Sequence, residues 1–390
     1  MKMNVTRTLH PIGQGAFYTE KFEYDGQHCN VVFDCGGTEK FIEKEVKGYC
    51  DSLPCDNESL KPTIDAVFIS HFHEDHVNGL ETLLNKAEVK CIFLPLLNKS
   101  DVYALSLSFV EKLGDPLSLY SKLVESAISG EDLEWDRNSD KKIKIVRIRK
   151  AGDTEGNGNE EYDLESDDSR TEIPSGTSIK LKNSTPWIFK TFNFGNAKGQ
   201  REEQLKKALE KENVTSLTDL VDKWQDTQYQ ENIRKCYESV SGSMNTNSMV
   251  TYSGLGKNDF TVTNCMTSKS CYWRNCSDIN SFAPHKAGCM YFGDYEAKGK
   301  CKWKQYEDSF GYLIDLLHVQ QVPHHGSRHN YNVKLNKPKK KMNFISAGIG
   351  NKYHHPHKRT LRKINKAKAP RIWINECSEP VVFEYDVSES

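Results

Sequence analysis

Short apolar runs alternate with amphipathic stretches along the chain, a pattern that predicts an α/β protein. Residues 5–9 and 16–24 alternate polar and apolar positions, as half-buried strands do. Asn30-Val31-Val32-Phe33-Asp34 and Ile64-Asp65-Ala66-Val67-Phe68-Ile69 are β-branched, mostly apolar runs that read as buried strands. Residues 38–60 read as a helix followed by a loop around Pro54, 80–84 as a helix and 90–94 as a strand. Helical periodicity covers 101–127, broken at Gly114-Asp115-Pro116. Residues 142–148 read as a strand. The acidic stretch 151–170 reads as a loop, 178–182 and 186–194 as strands, and 200–212 and 216–239 as helices. The expectation is therefore one domain spanning 1–390, with a helix-rich insertion in 100–240 placed to cap a site or to meet a protein partner. Strands return at 243–252, 290–294, 319–323 and 343–346, with a helix at 306–317. A basic helix at 358–368 and strands at 371–375 and 381–385 close the chain.

Chemistry gathers where these strands end. The run at 64–69 leads into His71-Phe72-His73-Glu74-Asp75-His76, four metal-donor side chains within six residues. Imidazole nitrogens and carboxylates are the donors that zinc and similar divalent ions accept. Alternation in an extended segment lets His71 and His73 share one ion; after the turn, Asp75 and His76 address a second. Three later strand ends offer Asp294, His324 with His325, and His355 with His357. A carboxylate at position 294 is expected to bridge two cations. The implied cofactors are two divalent ions, Zn2+ or Mn2+, which together activate water and stabilise displacement at phosphorus. Asp75 is accordingly both a candidate ligand and a candidate catalytic residue.

Composition changes the picture in two ways. No run approaches the ~18 apolar residues of a membrane span, and the first residues do not open a signal peptide, so a soluble cytoplasmic protein with reduced thiols is expected. The 12 cysteines include no Cys-x-x-Cys pair that would argue for structural zinc. The net charge of −1 hides an asymmetry: from Arg328 to Arg371 there are 14 Lys and Arg and no acid, leaving −15 for the remainder. Because this segment begins at the His324 loop, nucleic acid is the expected partner. Lys339, Lys340 and Lys341 on a loop, and Arg359 and Arg362 on the next helix, are expected to neutralise its phosphates.

His-x-His-x-Asp-His after a buried strand, followed by Val77-Asn78-Gly79-Leu80, resembles the metal signature of the metallo-β-lactamase fold superfamily. The resemblance implies an αββα four-layer sandwich in which Asp34, in a strand-Asp-x-Gly element, supports the metal loop from behind. Five further motifs occur in order: Gly13-Gln14-Gly15, Asn245-Thr246-Asn247-Ser248-Met249-Val250, Phe292-Gly293-Asp294, Pro323-His324-His325-Gly326-Ser327 and Asn351-Lys352-Tyr353-His354-His355-Pro356-His357. Together they resemble the metallo-hydrolase domain of ComEC-type DNA-uptake channels and its free-standing relatives, outside the 100–240 stretch. That resemblance implies a metal-dependent phosphodiesterase and, as in the channel proteins, a nuclease, although this chain has no spanning segments and cannot be a channel. Many members complete the first ion's shell with a histidine that is missing here, since none lies between His76 and His285. Asn245 or Asn247 occupies that region, with His285 as the fallback. Of the adjacent pair, His324 is the expected ligand and His325 an orienting group or phosphate donor. His355 and His357 match the family's His-Pro-His and are expected to protonate a leaving oxygen. The alternatives are a hydrolase of a small molecule (a cyclic nucleotide, phosphate ester or amide) and a metal-containing regulatory subunit with little turnover.

Overall fold

Two sheets face one another across an aromatic core, and helices cover their outer faces. The computed structural model describes residues 2–55, 61–97, 118–135, 142–152, 160–165, 168–181, 185–194, 200–214, 226–238, 248–257, 259–267, 285–337 and 341–389. In chain order the elements are β1 (Lys2–Leu9), β2 (Ala16–Tyr24), β3 (Gln27–Gly36), α1 (Glu39–Asp51), β4 (Thr63–Ile64), β5 (Ala66–Phe68), α2 (Glu74–Val77), α3 (Leu80–Lys86), β6 (Glu88–Val89) and β7 (Cys91–Pro95). Then follow α4 (Leu119–Ser129), β8 (Lys144–Ile148), β9 (Glu161–Asp163), β10 (Glu172–Ile173), β11 (Ser178–Lys180), β12 (Trp187–Asn193), α5 (Gln200–Lys211) and α6 (Thr227–Glu238). The last part holds β13 (Met249–Leu255), β14 (Phe260–Thr267), β15 (Gly288–Tyr291), α7 (Lys300–Phe310), β16 (Leu317–Gln321), β17 (Met342–Ser346), α8 (Lys358–Lys366), β18 (Arg371–Ile374) and β19 (Val381–Glu389).

The first sheet has the order β10-β8-β7-β5-β3-β2-β1-β19-β14, and the second β18-β17-β16-β15-β13-β12-β11-β9. Phe33 of β3 stacks on Phe68 of β5 at 5.3 Å and reaches across the gap to Tyr291 of β15 at 4.0 Å. α1, α3 and α4 bury Ile42, Leu83 and Leu123 on the outer face of the first sheet. α7 and α8 bury Trp303, Tyr306 and Ile364 on that of the second. This is the αββα arrangement expected from the sequence. With apolar layers on both sides, β3, β5 and β7 need continuous rather than alternating hydrophobicity, which is why their runs are so legible.

One charged pair is sealed between the sheets. Arg7 Nε donates to Glu20 Oε1 at 2.7 Å, and its Nη1 donates to Ala287 O at 2.9 Å and the Tyr385 hydroxyl at 2.8 Å. Glu20 also accepts from the Ser253 hydroxyl at 2.5 Å and the Tyr291 hydroxyl at 2.9 Å. Burial works against the guanidinium's charge, but Glu20 outweighs it and Arg7 holds its proton more tightly than usual.

The parallel strands decide where function can sit. β3, β5, β7 and β8 run parallel, as do β15 to β18. The candidate donors follow the carboxyl ends of these strands, where loops converge in open α/β sheets.

Several expectations need correction. Within 100–240 the described strands extend the main fold, β8 and β10 in the first sheet and β9, β11 and β12 in the second. The helical part of that stretch, among the described residues, is α4 and the packed pair α5 and α6. Glu161–Asp163, within the expected acidic loop, pairs with β11. Residues 260–267 form a strand on β19 that the sequence reading did not anticipate. The helix expected at 306–317 is α7, followed by a 3₁₀ turn at Gly311–Leu316. Among the described residues, no helix is long and apolar enough to cross a membrane.

Candidate metal centre

β5 ends at Phe68, and the chain then runs extended before α2 begins at Glu74. Asp34, at the end of β3, holds this stretch in place. Its Oδ1 accepts from Ser70 N at 2.7 Å, and its Oδ2 accepts from the Ser70 hydroxyl and lies beside His76 Nδ1, both at 2.8 Å. A carboxylate can only accept, so His76 carries a proton on Nδ1 and turns Nε2 into the site. Gly36 permits this approach, because a Cβ there would lie 2.4 Å from His76 N. Gly293 does the same before Asp294, where φ is 51° and a Cβ would meet the Ser70 hydroxyl at 2.6 Å.

Asp294 is the hub. Its Oδ2 lies 3.6 Å from His71 Nε2, 3.8 Å from His73 Nδ1 and 3.3 Å from His324 Nε2. Its Oδ1 lies 3.5 Å from His76 Nε2 and 3.7 Å from His325 Nε2. Asp75 Oδ2 is 3.2 Å from His325 Nε2, and Asp75 Oδ1 is 3.9 Å from His76 Nε2. The donors thus form two groups, His71–His73–Asp294 and Asp75–His76–His325, each with donor atoms within 4.8 Å of one another. One carboxylate touches both.

These groups fit cations. His76 Nε2, His325 Nε2 and Asp294 Oδ1 are buried with no hydrogen-bond partner, yet they face one another. Three orphaned polar atoms around one point would be costly unless a positive charge satisfied them. The second ring nitrogens of His76, His325 and His71 are already engaged. His325 Nδ1 donates to Ser346 O at 2.8 Å, and His71 Nδ1 lies 2.9 Å from the Ser70 hydroxyl.

The electrostatics agree. Burial and the neighbouring His76 and His73 push His71 down to about 4, leaving a free lone pair. Burial opposes charge on His76, but Asp34 and Asp294 outweigh it, so its pKa rises well above the ordinary value. Burial likewise works against ionisation of Asp75 and Asp294, yet His325 holds the first, and His324 and His71 the second, well below the usual carboxylate range. Both are anions poised for cations.

The sequence leaves open which of His324 and His325 faces a metal, and the structure turns both toward the centre: His325 Nε2 sits in the second donor group, beside Asp75. His324 faces the other oxygen of Asp294. Both residues have left-handed backbone, with φ of 49° and 52°, as does Asp34 at 50°. Such conformations cost about 1–3 kcal/mol each and cluster at functional sites. Here they fan two consecutive side chains toward the two oxygens of one carboxylate.

His355 is half-buried, with its ring 5.3 Å from that of His324 and 6.3 Å from that of His325, and burial with those neighbours pushes it down to about 4. His357 is placed differently from expectation: its Nδ1 accepts from Arg359 N at 3.0 Å and caps α8. His285 is an exposed turn residue preceding β15, at the end opposite Asp294. Asn245 and Asn247 lie outside the described residues.

Ser248, which the sequence reading passed over, accepts from Asp294 N at 2.9 Å and lies 3.4 Å from His71 Nδ1. Gln321 accepts from Phe292 N and Gly293 N at 2.7 and 2.9 Å, and Asn330 Nδ2 donates to Asp294 O at 2.6 Å. Their only sequence signal was nearness to the donor motifs.

The basic run also divides. Arg359 and Arg362 are exposed on α8, whereas Lys339 and Lys340 lie outside the described residues. Lys341 was expected on an exposed loop but is buried, 2% exposed, at the start of β17. Desolvation there, near Asp315 and Lys286, pushes it down to about 7. Those neighbours precede β16 and β15, so Lys341 sits at the amino ends of the parallel strands, away from the donor groups.

A family model described as the Metallo-beta-lactamase superfamily matches residues 23–91, which include Asp34 and His71 to His76. None of the curated proteins matches. Among solved structures, that of unliganded yeast PDE1 is 9% identical, covers 98% of this chain and 100% of its own, and superposes with a TM-score of 0.39, too slight a likeness to bear on activity. The fold is the metallo-β-lactamase fold, and the class that the family match and the donor groups define is a metal-dependent hydrolase.

Proposed function

We propose that this chain is a phosphodiesterase that uses two divalent cations, with nucleic acid as its leading substrate. The observation that carries the reading is the Asp294 carboxylate, one oxygen turned to His71, His73 and His324 and the other to His76 and His325. His71, His73, Asp294 and His324 would hold one ion, and Asp75, His76, His325 and Asp294 the other. Two such ions supply an activated water and charge stabilisation at phosphorus. Asp34 and Ser346 O keep His76 and His325 in the tautomers whose Nε2 faces the centre. His355 borders the centre on the side of α8 and is the group placed to meet a leaving oxygen, whereas His357 serves as a helix cap.

A polyanionic substrate suits the exposed cations of α8. A small phosphodiester, such as a cyclic nucleotide, is the second reading, favoured by Lys341 lying buried and far from the centre. A metal-containing regulatory subunit with little turnover would hold its ions on the same donors, and the turnover assay below separates it from an enzyme.

The test is metal analysis of the purified protein with a substrate panel, assayed with zinc and with manganese. The panel holds single-stranded and duplex DNA, RNA, cyclic nucleotides and bis(p-nitrophenyl) phosphate. Two ions per chain with metal-dependent cleavage of oligonucleotides is expected. Full activity after chelation would overturn the reading.

A further inference from the structure

Segments that follow the donor residues in the chain form a cleft of about 370 Å³ lined by Lys298, Arg328, His329, Arg359, Thr360 and Lys363. Four of these six carry a fixed positive charge, and no carboxylate lines the cleft. Among the described residues, none of the four is in an ion pair with an acid. They do not come from one amphipathic helix face. Lys298 lies four residues after Asp294, Arg328 three after His325, and Arg359 and Lys363 follow the cap residue His357. The three loops that carry donors or His355 each send a cation into the same space. They are tied together: His357 N donates to Gly326 O at 3.1 Å, and Asn332 Nδ2 donates to Ala297 O at 2.8 Å.

A second observation points the same way. Thr360 is 1% exposed, lines the cleft, and its hydroxyl has no hydrogen-bond partner. Arg328 Nε donates to His329 Nε2 at 3.0 Å, which leaves the proton of that ring on Nδ1 as a further donor. Like charges gathered without counter-charge repel, so folding alone gives no reason to collect them. An oxyanion with several acceptor oxygens would relieve the repulsion.

We propose that this cleft is a subsite for a second phosphate of the substrate, adjacent to the one at the metal centre. The subsite deepens the phosphodiesterase reading and rests on it. It restricts the substrate to molecules with at least two neighbouring phosphates, and it excludes an isolated phosphodiester as the preferred one.

The experiment measures binding to the metal-loaded protein by titration calorimetry. The probes are dithymidines joined by an uncleavable methylphosphonate linkage, bearing no phosphate, a terminal phosphate at either end, or one flanking phosphodiester. Wild type should bind at least one phosphorylated probe about 10–100-fold more tightly than the bare one, the range for charge-assisted contacts. Preference for the terminal or the flanking form identifies the source of the phosphate. The Arg328→Ser/Lys363→Ser variant should lose the preference, with metal content and thermal midpoint retained. Should that variant not fold, the single exposed-site change Lys363→Ser should weaken the preference several-fold. Equal binding of all probes by wild type overturns the subsite, as does an undiminished preference in the folded variants. If neither oligonucleotides nor bis(p-nitrophenyl) phosphate is hydrolysed with either metal, the phosphodiesterase reading fails, while the binding comparison still reports on the cleft.

Discussion

Arg7–Glu20 between the sheets is sealed from water, while the Asp294 cluster at their edge has a buried centre and partly exposed flanks at Asp75, His73 and His324; the two also differ in completeness. Each charged nitrogen of Arg7 and each oxygen of Glu20 has a partner: Ser253 O at 3.5 Å takes the last guanidinium nitrogen, and the Tyr291 and Ser253 hydroxyls complete the carboxylate. Around Asp294, by contrast, Oδ1 and two imidazole nitrogens are left over. A closed network serves the fold. An open one, with the rear nitrogens of His76 and His325 already engaged, is prepared for something that arrives later.

The sharpest way to break this comparison is Asp294→Asn. Replacing the shared carboxylate should take metal content below two ions per chain and lower kcat/KM by more than ~10³-fold, read by elemental analysis and steady-state kinetics. Two ions retained would show that Asp294 does not bridge. The reciprocal change is Arg7→Met, which strands Glu20 in the core. It should cost about 3–5 kcal/mol of stability in urea unfolding, while the folded fraction keeps its metal. Loss of metal without loss of stability would erase the distinction between the two regions.

A smaller effect is expected from Asp34→Asn, since the amide cannot reproduce the carboxylate behind His76. Metal affinity should fall by about 10–100-fold, measured by chelator competition, with the unfolding midpoint of the metal-free protein little changed. Lys341 adds the smallest effect, as a buried charge that belongs to neither cluster. In the folded chain it releases its proton near 7, whereas the unfolded chain holds it to about 10.5. Between those values the unfolded state binds more protons, so stability should rise with pH, by at most about 1.4 kcal/mol per unit. Lys341→Met should flatten that rise; an unchanged pH profile would place the ammonium in water.

What the sequence by itself determined was local. The continuous apolar runs of β3, β5 and β7 announced buried strands, and His71, His73, Asp75 and His76 were legible because their spacing sits within six residues at one strand end. Asp294 stood out because it ended another such run. Of the five strands β8 to β12, only β9 and β10 were illegible, since Glu161–Asp163 and Glu172–Ile173 carry too few residues to show a period and gain their identity only by pairing. Tertiary structure alone decided three things. Adjacent histidines 324 and 325 look equivalent in sequence; left-handed backbone at both sends them to different oxygens of Asp294. Lys341 looked like part of a solvated run, yet the pairing of Val319 with Met342 places it at the buried amino end of β17. Lys298, Arg328 and Arg359 are dispersed over 62 positions and form one cleft only because three loops meet there. Strand propensity and donor type are properties of a few consecutive residues, whereas which lone pair faces which carboxylate oxygen depends on how loops from separate strands pack together.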